Sequence, residues 1–157
     1  MMKSVGLFLL LTATFAYSGV DGANACATAL DGKLIGAGLN AAYTACRSDP
    51  VAFAALKATA AIPVCARYVF TVGDRKCEVA GAPFMKCVAG KLGYLKADGS
   101  IDNKKVLDQF KTWATSNPKC SVAQYNFAAS KCGSTIDNYA FVAKSACIIN
   151  ATYQYTG

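Results

Sequence analysis

The chain has 157 residues, a length that fits one domain, with a formal net charge of +7 and no histidine. Without imidazole there is no Ser-His-Asp or Cys-His nucleophile system, and Glu78 is the only glutamate, so no enzyme is expected. The positive surplus would suit an anionic membrane or nucleic acid, but Lys57, Lys86, Lys91, Lys96, Lys104, Lys105 and Lys111 are scattered singly or in pairs and read as a solvated surface.

Lys3, an apolar run over residues 5–15 and a string of small residues have the form of a secretory signal peptide, too short to span a bilayer. Residues 1–22 are assigned to it, with cleavage after Gly22 or Ala25, and residues 23–157 to a helical, disulfide-rich binding domain. A secreted destination disfavours a nucleic-acid partner, and membrane contact ranks below plain solubility.

The elements follow in order. Residues 33–46 are alanine-rich but carry Gly36 and Gly38, so this helix is weak until packed. Asp49-Pro50 is a helix start, a capping carboxylate followed by proline at the first helical position, and Ile62-Pro63 is the corresponding stop. Residues 64–70 read as a brief helix entering a loop at Gly73-Asp74. A helix is predicted over residues 76–92, bent near Pro83, with Phe84, Val88 and Leu92 in one stripe and Met85 and Cys87 beside it.

The turn at Asp98-Gly99 hands over to a helix with Ser100 as its predicted N-cap and Val106, Leu107, Phe110, Trp113 and Ala114 on its apolar face. Asp98-Gly99-Ser100-Ile101-Asp102 has the look of a calcium loop, but Asn103 stands where glycine is needed and Gln109 where a bidentate glutamate is needed. Ser121 caps the next helix, which Gly133 ends. The last helix is predicted over residues 135–150, apolar nearly all round and therefore central. Asn150-Ala151-Thr152 is an N-glycosylation sequon. The fold class is thus all-α, six or seven helices in one compact disulfide-stapled domain.

Cys26, Cys46, Cys65, Cys77, Cys87, Cys120, Cys132 and Cys147 all follow the leader, and an even count in a secreted chain reads as four disulfides. No pair has Cys-x-x-Cys spacing, so neither a metal nor a cofactor is expected. Aromatic and aliphatic residues occur on nearly every helix, on more faces than one small core absorbs. Disulfides also let a small domain keep a hollow interior. The residues expected to line such an apolar cavity are Phe53, Leu56, Phe84, Met85, Val88, Leu92, Phe110, Trp113, Tyr125, Phe127, Tyr139 and Phe141.

The run Phe84-Met85-Lys86-Cys87-Val88-Ala89-Gly90-Lys91-Leu92-Gly93-Tyr94, followed by Asp98-Gly99-Ser100-Ile101-Asp102, resembles the central helix and turn of the insect odorant/pheromone-binding protein family. Residues 137–147, ending at Cys147, resemble that family's last helix before its final cysteine, and the likeness covers roughly residues 82–150. Pro83 and Asn138 stand where the family has two cysteines that bond each other, as in the branch lacking that bridge. The resemblance implies that Cys87 bonds an N-terminal cysteine and that Cys147 bonds Cys120 or Cys132. It also implies a secreted carrier that holds an odorant, pheromone or lipid-like molecule without catalysis. A cationic membrane-active or defence protein is the alternative.

Overall fold

The computed structural model describes residues 25–68, 70, 73–116 and 120–157, so the predicted leader lies outside the described residues. Residues 25–34 form helix α1, which passes through a π-turn at Ile35–Leu39 into α2 (Asn40–Arg47). Within that turn Gly38 has φ +96°, a left-handed conformation that glycine enters without strain, so the predicted weak point is a kink. Helix α3 (Pro50–Ala61) starts as expected: the Asp49 carboxylate accepts from Ala52 N–H at 2.8 Å and Pro50 holds the first position. Ile62 is extended ahead of Pro63 and ends it. A 3-10 turn, Pro63–Cys65, follows.

Helix α4 (Arg75–Lys91) is capped by Asp74, which accepts from Cys77 N–H at 3.0 Å, and it runs through Pro83, whose missing N–H leaves the Val79 carbonyl without its helical donor. It closes at Gly93, φ +74°, with Tyr94 N–H donating to the Ala89 carbonyl at 2.9 Å and Gly93 N–H to that of Gly90 at 3.1 Å. This paired closure buries Tyr94 against the helix it terminates.

Helix α1 begins at residue 25, eight residues before the predicted start at 33, and two later boundaries also differ from expectation. Helix α5 (Asn103–Thr115) is capped by Asp102, not Ser100. The Ser100 hydroxyl and N–H are both held by Asp98, and an antiparallel bridge between Leu95 and Ile101 keeps the chain extended until Asp102. After α6 (Val122–Cys132), capped by Ser121, the last helix α7 spans Phe141–Thr152 and starts six residues later than predicted. Asn138 and Tyr139 have φ of 51° and 58°, outside any right-handed helix. The segment before α7 is instead spent on long-range docking. Ile136 N–H donates to Asn103 Oδ1, and the Tyr139 hydroxyl donates to the Gly99 carbonyl.

The fold is all-α, with no named strand among the described residues, and none of its described helices is long and apolar enough to cross a membrane. Phe84, Met85, Val88, Val106, Phe110, Phe141 and Ile148 form the buried centre with Leu30. Helix α4 packs on α3 and α2, while α7 packs on α6. The core joins these two halves.

Candidate ligand-binding interior

Four disulfides pin the helices around that centre. Cys26–Cys120 ties α1 to the entry of α6. Cys46–Cys87 ties α2 to α4, and Cys65–Cys77 holds the 3-10 turn on the first turn of α4. Cys132–Cys147 links α6 to α7. The bonds of Cys87 and Cys147 agree with what the resemblance implies. Disulfides of this density fit an oxidising compartment.

The most distinctive grouping is a triangle of rings on the α2–α4 side. Tyr43 and Phe84 stack at 5.8 Å with 5° between their planes, and Phe70 stacks on Phe84 at 5.7 Å and lies 6.3 Å from Tyr43. Tyr68 meets the Phe70 edge at 5.3 Å and 79°. Phe70 reaches this place because residue 81 is glycine, since a β-carbon there would lie 2.8 Å from the Phe70 ring. Phe84 is fully buried, whereas Tyr43, Tyr68 and Phe70 are half-buried, so the group meets the core through Phe84 alone. Two disulfides lie close by in sequence: Cys46 is one turn from Tyr43, and Cys65 precedes Tyr68 by three residues.

Burial pushes the Tyr43 phenol up to about 12. The Tyr68 phenol is likewise pushed up to about 12, by burial first and then by the charges of Glu78 and Asp74. The Tyr68 hydroxyl is buried and has no hydrogen-bond partner. Glu78 is raised above the usual carboxylate range, chiefly by burial and then by Asp137 and Asp74, while Arg75 and Lys144 oppose the rise. Lys144 is lowered by burial; its ammonium donates to the carbonyls of Cys132 and Gly133 at the end of α6.

Of the predicted lining residues, Phe84, Met85, Val88, Phe110, Tyr125 and Phe141 meet in one buried cluster, bordered by half-buried Leu56, Leu92, Trp113 and Tyr139. The Tyr125 hydroxyl is already used, donating to the Leu107 carbonyl at 2.9 Å. Trp113 tilts against Phe110 at 5.7 Å and walls an open groove with Ala29, Gly32 and Gly36 of the first helical stretch. Two predicted residues stand elsewhere. Phe53 is 39% exposed beneath the Lys57 ammonium, and Phe127 contacts Tyr155 and Lys131. Asn150 is exposed on α7, but Thr152 of the same sequon is buried, its hydroxyl donating to the Ile149 carbonyl. Glycan attachment therefore requires this segment before α7 closes.

Tyr43, Tyr68 and Phe70 were not among the predicted lining residues. Tyr43 had a usable signal, one helical turn from both Leu39 and Cys46. Tyr68 and Phe70 had none: residues 64–70 read as a brief helix, but among the described residues of that stretch only Pro63–Cys65 is helical, a 3-10 turn, and Tyr68 and Phe70 lie beyond it without helical period. Cys65, Asp74 and Cys77 come close enough to suggest metal ligands, but both sulfurs are consumed in their own disulfide.

Comparison with known proteins finds no matching family model, no matching curated protein and no matching solved structure.

Proposed function

We propose that this chain is a secreted carrier that takes a small hydrophobic molecule, an odorant, pheromone or lipid-like compound, into its helical interior and performs no catalysis. The observation that carries the reading is the ring triangle of Tyr43, Phe84 and Phe70, in which two half-buried rings pack on a fully buried one that belongs to the cluster around Met85 and Val88. Flat rings held by neighbouring disulfides offer a large apolar contact area without loss of side-chain freedom on binding. The resemblance of residues 84–102 to odorant/pheromone-binding proteins supports the same reading, as does the lack of histidine and of any glutamate besides Glu78.

The test is a titration with the apolar fluorophore N-phenyl-1-naphthylamine followed by competition with aliphatic alcohols. A carrier gives saturable fluorescence enhancement that the competitors reverse. Fluorescence that never saturates rejects the proposal.

A second reading, a cationic membrane-active or defence protein, draws on one observation. Among the described residues a single ion pair, Lys104–Asp108, engages a lysine, while Asp49, Asp74 and Asp102 are spent as helix caps. Most of the positive surface is therefore uncompensated. Leakage from anionic vesicles, absent with neutral ones, would favour it over a carrier.

A further inference from the structure

The sequon Asn150-Ala151-Thr152 forms the last turn of α7, and the helix divides it. Residues two apart on an α-helix point about 200° apart. Asn150 accordingly faces solvent, while Thr152 faces the core at 0% exposure. The Thr152 hydroxyl donates to the Ile149 carbonyl, and the Thr152 carbonyl accepts from the buried Gln124 amide at 3.3 Å, which pins this turn onto α6. N-linked transfer needs both residues on one side. The asparagine amide nitrogen attacks C1 of an oligosaccharide carried on a lipid diphosphate, while the transferase grips the hydroxyl two residues on. The C–N bond forms, the C1–O bond to the diphosphate breaks, and the amide gives up one proton. The docked helix therefore cannot be the acceptor, although it can carry the product, because Asn150 points outward.

The clamp that holds α7 on α6 is Cys132–Cys147, about one turn before the sequon. Cys147 is the one exposed cysteine of the eight, and it shares the outer face with Asn150 three residues on. A helix of 12 residues is marginal in water on its own, so the sequon lies open until α7 is clamped. We infer that Asn150 accepts an N-linked glycan only in the open chain, and that closure of Cys132–Cys147 ends its access. The inference needs the secretory route but no carried molecule, so it stands apart from the carrier reading.

The test expresses the full chain, residues 1–157, in cultured animal cells. The glycosylated fraction, in cells and medium together, is read from the mass lost on peptide-N-glycosidase treatment. Cys132→Ser combined with Cys147→Ser is expected to raise that fraction about twofold or more, since only the marginal free helix then competes with the transferase. Cys65→Ser combined with Cys77→Ser, which frees the start of α4 and leaves α7 clamped, is expected to stay near the parent. Gln124→Ala keeps every bridge and loosens only the hold on Thr152, so it is expected to raise the fraction by less. Thr152→Ala is expected to abolish it. A parent already fully occupied would overturn the gate. So would a fraction that neither the Cys132/Cys147 variant nor Gln124→Ala lifts above that of the Cys65/Cys77 variant. No glycan on any form overturns the acceptor as well.

Discussion

Tyr43 of α2 lies parallel to Phe84 of α4, with ring centroids 5.8 Å apart and 5° between the planes. The contact sits beside Cys46–Cys87, which joins the same two helices, so a covalent bond and a ring stack reinforce one another. Phe70, after Cys65, packs against both rings, and its place depends on the bare α-carbon of Gly81.

Gly81→Ala tests that dependence. Alanine gains about 1 kcal/mol in helix propensity. It also puts a methyl 2.8 Å from the Phe70 ring, an overpacking that costs about 1–3 kcal/mol. The expected result is a net destabilisation of about 0–2 kcal/mol by chemical unfolding, with a changed near-ultraviolet dichroism signal and weaker fluorophore binding. Unaltered dichroism and binding would mean that Phe70 does not depend on this glycine.

The two most unequal disulfides separate global stability from the ring cluster. Cys26–Cys120 spans 94 residues and Cys65–Cys77 only 12. On the loop-entropy account their removal as paired serine variants costs about 4.5 and about 3 kcal/mol respectively. Loss of the short bridge frees the segment bearing Tyr68 and Phe70, so it is expected to weaken binding more, although it destabilises less. Calorimetry and fluorophore titration on both variants check the crossed ranking.

Helix α5 offers a test of local capping. Asp102 accepts from Lys105 N–H at 3.0 Å, whereas the Ser100 hydroxyl is turned to Asp98 in an exposed turn. Asp102→Ala is expected to cost about 0.5–2 kcal/mol, and Ser100→Ala clearly less. Denaturant unfolding of the two variants side by side decides it.

Glu78 supplies the expected pH response. Its raised pKa means that the folded state holds the proton more strongly than the unfolded chain does, through burial and then through Asp137 and Asp74. Its contribution to stability is therefore complete below the ordinary carboxylate range and is lost as pH rises through the raised value. Glu78→Gln is expected to melt like the parent near about pH 4 and above it near about pH 7. A difference that does not vary with pH would remove Glu78 as the source.

These particulars also mark what the chain made legible. Signals written into neighbouring residues were readable: Asp49-Pro50 starting α3, Ile62-Pro63 stopping it, and the stripe Phe84, Val88 and Leu92. The start of α7 was not, because its apolar periodicity extends back to Ile136. The competing partners, Asn103 and Gly99, lie some 33 and 40 residues away in sequence. Ser100 misled for a related reason, since Ser and Asp cap equally well and the Asp98 contact together with the Leu95–Ile101 bridge chose between Ser100 and Asp102. For the interior, helical spacing identified Phe84, Met85, Val88, Phe110, Tyr125 and Phe141. It passed over the loop residues Tyr68 and Phe70, and it counted Phe53 because an alanine-rich helix such as α3 has little polar contrast by which to orient it.

The central claim is tested most directly by titrating N-phenyl-1-naphthylamine into the parent chain and into Tyr43→Ala, with both folds checked by dichroism. The account predicts saturable, competitor-reversible binding by the parent and a clear loss of affinity when the stack on Phe84 is removed. A parent chain that fails to saturate, or a Tyr43→Ala variant that binds as tightly as the parent, would contradict it.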